Sequence, residues 1–166
     1  KESNYNVKDG TIGVLNVTKA DFDYNAQGYT GVYDGAPHGI TVNAPQGAEV
    51  TYDVENSRTD AGTTTVGYTI SMGGNYNDVH GTAEIAISKA DLVVSTEGAE
   101  KAYDGQPLTN PDTSYTAVNG ETVTVKATGS QTEFGSSNNT YTVAWDGTAK
   151  ESNYNVKDGT IGVLNV

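Results

Sequence analysis

The chain has 166 residues, of which 35% are hydrophobic, 20 are glycine and none is cysteine, and it carries 9 basic against 21 acidic side chains for a net charge of −12. A single arginine, Arg58, and few lysines argue against a phosphate-binding surface, and so against nucleic acid as a partner. Apolar runs of a few residues fall far short of the roughly 20 that a helical membrane span needs, and the lack of cysteine removes disulfides and thiolate metal sites.

Taken from its start, the chain opens on a repeat. Residues 1–17 read KESNYNVKDGTIGVLNV, and residues 150–166 read the same letters. Identity over that length implies recent tandem duplication. With Lys1 in place of an initiator Met and no signal segment, the sequence is expected to be a piece of a longer repeating chain. A diverged repeat lies inside the long one. Thr18-Lys19-Ala20-Asp21 returns as Ser88-Lys89-Ala90-Asp91, and Tyr33-Asp34-Gly35 returns as Tyr103-Asp104-Gly105. Gly62 with Tyr68 is matched by Gly135 with Tyr141, and Asn75-Tyr76-Asn77 by Asn153-Tyr154-Asn155. These landmarks divide the chain into a leading segment, 1–17, and two modules, 18–87 and 88–166. The leading segment then corresponds to the terminal strands of a preceding copy. Such a hairpin is marginal alone, so it is expected to pack on the first module, on another chain or on a lattice neighbour.

Strand patterns follow in order. Val50, Tyr52 and Val54 alternate with polar residues, as do Val66, Tyr68, Ile70 and Met72, and then Ala83, Ile85 and Ile87. The second module repeats the theme with Leu92 and Val94, Val123 and Val125, and Tyr141, Val143 and Trp145. Asp9-Gly10, Asp34-Gly35, Gly73-Gly74, Asn119-Gly120, Asp146-Gly147 and Asp158-Gly159 supply turns between them. Aligning Gly10-Thr11 with Gly81-Thr82 leaves one extra residue, which predicts a β-bulge near Val14 to Asn16 and a twin near Val163 to Asn165. No helical apolar stripe persists. The fold class is therefore all-β: two small tandem sandwich modules, each burying one face of a sheet against another layer. Trp145 falls where the first module has Met72, which marks it as a core or core-edge filler.

At Tyr33-Asp34-Gly35-Ala36-Pro37, Ala44-Pro45-Gln46-Gly47, Asp60-Ala61-Gly62 and Gly74-Asn75-Tyr76-Asn77, and at Tyr103-Asp104-Gly105, Ala127-Thr128-Gly129-Ser130 and Ser152-Asn153-Tyr154, the sequence resembles the Ig-like tandem repeats of bacterial cell-surface adhesins, including the YDG and MBG types. The resemblance implies Ig-like β-sandwich modules, with β-grasp-like mostly-β modules as the alternative. It further implies an extracellular, cell-surface or cell-wall-attached location and neighbouring copies of the same repeat as partners. Tyr33, Asp34, Gly35, Asp60, Gly62, Tyr103, Asp104 and Gly105 are its motif residues, and they identify a scaffold rather than chemistry. An Asp-x-Gly-x-Tyr corner would place Tyr at 64, where this chain has Thr64, leaving Tyr68 to anchor that strand.

Catalytic sets are not evident. His38 and His80 are the only imidazoles, both in the first module, and no phosphate loop opens a helix, so no enzyme is expected. Asp21, Asp23, Asp53, Glu55 and Asp60 are candidate calcium ligands, although none forms an Asp-x-Asp-x-Asp-Gly loop. An intramolecular Lys–Asn isopeptide bond would draw on Lys89, Asn165 and Glu133. Two function classes remain: a stalk that projects a distal binding domain, and an adhesive module in which Tyr24, Tyr29, Tyr115 and Trp145 contact host glycan or protein. The charge is −7 over residues 18–87 (2 basic, 9 acidic) and −5 over 88–166 (5 basic, 10 acidic), so acidity belongs to each module. It reads as solubility and mutual repulsion along a fibre.

Overall fold

The computed structural model describes residues 4, 6, 8, 10, 11, 13–111, 113–117 and 120–166, with Thr113–Thr116 described in backbone only. The architecture is all-β, and no α-helix occurs among the described residues. In the first half the strands are β1 (Asn25–Gln27), β2 (Tyr29–Val32), β3 (Thr41–Asn43), β4 (Glu49–Tyr52), β5 (Gly62–Ser71) and β6 (Val79–Ser88). They form a small β1-β3 pair and a four-stranded sheet in the order β2-β6-β5-β4. β2 runs parallel to β6, and the β5–β6 and β4–β5 pairs are antiparallel. The alternation read from sequence sets the core: β5 turns Val66, Tyr68 and Ile70 inward, and β6 turns in Ile85 and Ile87. β4 departs from it. Val50 is half-buried, whereas Tyr52 and Val54 are exposed, because β4 is the edge of its sheet.

The second half comprises β7 (Ala90–Val94), β8 (Ala99–Glu100), β9 (Thr113–Thr116), β10 (Thr122–Ala127), β11 (Ser136–Asn138), β12 (Tyr141–Ala144), β13 (Tyr154–Asp158) and β14 (Val163–Asn165). Several of its pairings reproduce those of the first half, although β9 pairs with β10 and, among the described residues, the β1–β3 pair has no counterpart. The parallel bridge Ala20–Tyr76 becomes the parallel β7–β13 ladder that starts at Ala90–Tyr154. Tyr29 opposite Ile85 becomes Ala99 opposite Leu164, Thr64 opposite Ile85 becomes Ser137 opposite Leu164, and the His38–Arg58 bridge becomes Leu108–Gln131. Among the described residues every strand pair lies within 20–88 or within 90–166.

One difference is physical. The two long strands β5 and β6 are each cut in the second half, into β11 and β12 and into β13 and β14. Asn139 sits at the cut, where the first half has the buried apolar Val66. Its amide donates to the carbonyls of Glu97 (2.9 Å) and Asn110 (2.8 Å), and its side-chain oxygen accepts from the Gly129 N–H (3.1 Å). Its backbone N–H reaches Gly162 O (2.8 Å), and its carbonyl accepts from Thr96 Oγ1 (2.7 Å). A buried amide must be satisfied in this way or it costs the fold its full desolvation. The extra residue also lies here. The register is regular from Val163 to Asn165, so the predicted bulge is not at that position; the surplus is taken up by the break at 159–162.

In the leading segment none of the described residues lies in a strand, and Leu15 and Val17 are 98% and 99% exposed. Val14 is exposed as well, and Val14 to Asn16, where a bulge is predicted, lie in no ladder. Leu164, the same letter of the repeated sequence as Leu15, is 0% exposed. Gly162, the twin of Gly13, runs against the Glu97–Gly98 backbone, where an added Cβ would lie 2.2 Å from Glu97 C; around Gly13 there is open space. Leu164→Ala is therefore expected to cost about 2–5 kcal/mol and Gly162→Ala about 1–3 kcal/mol from overpacking. Leu15→Ala and Gly13→Ala should stay within about 0.5 kcal/mol of the parent. Urea denaturation of the four variants checks this, and equal losses at twin positions would contradict it.

Candidate functional site

Tyr-Asp-Gly motifs are built alike in both halves. Asp34 Oδ1 accepts the Ala36 N–H (2.9 Å) and Asp104 Oδ1 the Gln106 N–H (2.9 Å), each an Asx turn with glycine following at φ 77° (Gly35) and 75° (Gly105). A cation-capable partner closes each turn: His38 Nε2 on Asp34 (2.9 Å) and Lys101 Nζ on Asp104 (2.6 Å). These contacts hold both carboxyls below the usual aspartate range, led by the His38 bond at Asp34 and the Lys101 bond at Asp104. His38 also stacks on Tyr29, with ring centroids 4.0 Å apart. Its surroundings are those of a scaffold residue, as are those of His80, whose Nδ1 lies 2.9 Å from Thr69 Oγ1.

The two motif tyrosines differ. Tyr103 is 60% exposed, whereas Tyr33 is buried where the two halves meet. That seam is the most elaborate arrangement of functional groups in the structure. Tyr33 stands edge-on to Tyr154 (5.6 Å, 79°), and Tyr154 stacks on Trp145 (5.8 Å, 23°). Glu121 receives both phenols: the Tyr33 hydroxyl donates to Oε1 at 2.8 Å, and the Tyr154 hydroxyl donates to Oε2. Burial first, and then the Glu121 carboxylate, push both phenols above their ordinary range.

Beside the aromatic groups lies a polar clasp. Asn153, 0% exposed, accepts the Ala61 N–H (2.9 Å) and donates to Asp60 Oδ1 (2.9 Å). Lys150 Nζ adds an ion pair to Asp60 at 2.9 Å. A 3-10 turn at Glu151–Asn153, directly before β13, presents Asn153 to the seam. Gly62 follows Asp60-Ala61 at φ 129°, and Arg58 wraps it by donating to Ala61 O (2.8 Å), Thr63 O (3.1 Å) and Thr64 Oγ1 (2.8 Å). Arg58 and Thr64 thus build the corner that a tyrosine would otherwise tie, while Tyr68 is buried in the core and packs edge-on to Tyr24.

Of the calcium candidates, Asp21 accepts from Asn77 Nδ2 (2.7 Å), Asp53 accepts the Gly67 N–H (2.7 Å) and Asp60 serves the seam. Asp23 and Glu55 are exposed. Among the described residues no three histidine or acidic side chains converge on one point. The isopeptide trio has separate partners: Lys89 Nζ lies 3.5 Å from Glu151 O, Asn165 pairs in β14 with Ser136 and Glu100, and the Glu133 carbonyl accepts from Gln131. Of the four aromatics weighed for adhesion, Tyr24 is exposed and Tyr29 and Trp145 are half-buried; the Tyr115 side chain lies outside the described residues. The seam itself was not legible as a site. Asn153 and Tyr154 were visible as repeat landmarks, but nothing in the sequence singled out Glu121 or Lys150.

No known protein family, curated protein or solved structure matches the chain. The arrangement is that of a joint: aromatic contact, two phenols on one carboxylate, and a buried amide clasp.

Asp60 makes the joint sensitive to acid. The Asn153 bond first, and then the Lys150 contact, lower its pKa. A carboxyl depressed in the folded state adds stability that is present above its unfolded pKa, roughly 3.9, and lost as pH falls through the folded value. Stability should therefore drop below about pH 4, and Asp60→Asn should reduce the difference in denaturation midpoint between pH 6 and pH 2.5. An Asp60→Asn profile superimposable on the parent's would show that this contact is not the acid-sensitive element.

Proposed function

We propose that the chain is a spacer repeat of a secreted, cell-surface-attached bacterial adhesin, holding a distal binding domain away from the wall. The observation that carries this reading is the seam. The buried apolar side chains run as one cluster from Tyr33, Ile40, Val66 and Ile70 through Tyr154 and Ala149 to Val123 and Val125, so the two halves share a core instead of hanging on a linker. Such continuity suits a load-bearing or distance-setting role. The resemblance to YDG and MBG repeats, the identical sequence at 1–17 and 150–166, and the acidity of both halves support the same reading, since like-charged repeats repel sideways association. Small-angle scattering of chains carrying two and four long repeats tests it. The maximum dimension should rise in proportion to repeat number, and compact growth would contradict the spacer role.

Adhesion by the repeat itself is favoured by one feature. An open hollow of about 340 Å³ on the β4–β5–β6 sheet is lined by Tyr52, Asp53, Gly67, Thr69, His80 and Gly81 among others. An aromatic edge beside polar groups over a glycine-rich surface suits a sugar ring. On this reading the chain binds on a glycan array and Tyr52→Ala removes the signal. A silent array, or binding untouched by that substitution, excludes the hollow.

A further inference from the structure

The halves meet once inside the chain, and the strand register that equates them identifies the residues of a second meeting. Tyr33, Asp60 and Ala61 on the near side of the seam correspond to Tyr103, Glu133 and Phe134. Ala90, Trp145, Asn153 and Tyr154 on its far side correspond to Ala20, Met72, Asn75 and Tyr76. At the seam Ala90, Asn153 and Tyr154 are buried. Their counterparts at the leading end are not: Ala20 and Asn75 are exposed and Tyr76 is half-buried. With 17–19 and Gly74 they line an open cleft of about 370 Å³. At the other end Phe134 is 90% exposed.

We propose that the Tyr103–Glu133–Phe134 face docks on the Ala20–Asn75–Tyr76 face of a second copy of this chain, head to tail. The amide clasp and the tyrosine pair of the internal seam carry over. The Asn75 amide donates to the Glu133 carboxylate and its oxygen accepts the Phe134 N–H, as Asn153 does with Asp60 and Ala61. Tyr76 meets Tyr103 as Tyr154 meets Tyr33. The apolar residues Ala61 and Trp145 of the internal seam have Phe134 and Met72 as their counterparts. The chain order agrees, because the residues that end in Val166 are the same letters that in 1–17 lead into Thr18. Being heterologous, the contact leaves one face free at each end and propagates along a tandem array.

This names the partner of the spacer reading and rests on it. Its test is amide hydrogen exchange followed by NMR, on the 166-residue chain and on two copies joined so that Val166 of the first is followed by Thr18 of the second. In the joined chain the Phe134 N–H of the first copy should exchange about tenfold or more slowly than in the single chain, approaching the Ala61 N–H as internal reference. Asn75→Ala in the second copy should return it to the single-chain rate, while the same substitution in the single chain leaves the melting temperature unchanged because that side chain is exposed. Equal Phe134 exchange in single and joined chains overturns the proposal. Scattering that still grows linearly would then leave the spacer role standing on a flexible joint, and compact scattering with a protected Phe134 would do the reverse.

Discussion

One long-range pairing recurs in both halves: a segment near the end of the half returns to lie parallel to the segment that opens it. In the second half this is the β13–β7 ladder beginning at Tyr154 and Ala90, and in the first it narrows to the Ala20–Tyr76 bridge. A parallel pair cannot be made by a local turn and needs a long crossover. The same pairing places the Asn-Tyr landmark at the end of the half, where it can face a neighbour. In the second half the residue that makes this closure, Tyr154, is also the one that meets Tyr33 across the seam.

The seam joins the two halves through a shared apolar cluster and through polar contacts beside it. Two phenols share the Glu121 carboxylate and one buried asparagine satisfies both a backbone N–H and an aspartate. Buried polar contacts of this kind add modest net stability, but they penalise every misaligned arrangement heavily, because a slipped register would leave a carboxylate or an amide without partners. Aromatic packing supplies attraction; the hydrogen bonds supply register.

Much of the local structure was legible. The period-two runs at Val66 to Ile70 and Ile85 to Ile87 read as half-buried strands and are so, and Asp-Gly at 34–35 read as a turn because glycine alone reaches its positive φ cheaply. What escaped the reading were polar residues whose roles depend on distant partners. Asn139 looks like one of several loop asparagines, yet it fills the place of Val66 and splits two strands. Arg58 looks like a stray surface cation, yet it ties the corner where a tyrosine was sought. The face of β4 was misjudged for a related reason: alternation reports which residues share a side, and only sheet order says whether that side is covered.

The repeated letters set the boundary between the two kinds of information. KESNYNVKDGTIGVLNV occurs twice, with the same propensities, the same turns and the same alternation. At 150–166 it forms β13 and β14 and buries Leu164; in the leading segment none of the described residues is in a strand and Leu15 faces water. Sequence alone determined that this stretch can form two strands, that it belongs to a repeat and which of its residues face one way. Whether it forms them was decided by tertiary structure, because their hydrogen-bonding edges, β7, β8 and β11, lie far away in the chain and pair with only one of the two copies among the described residues.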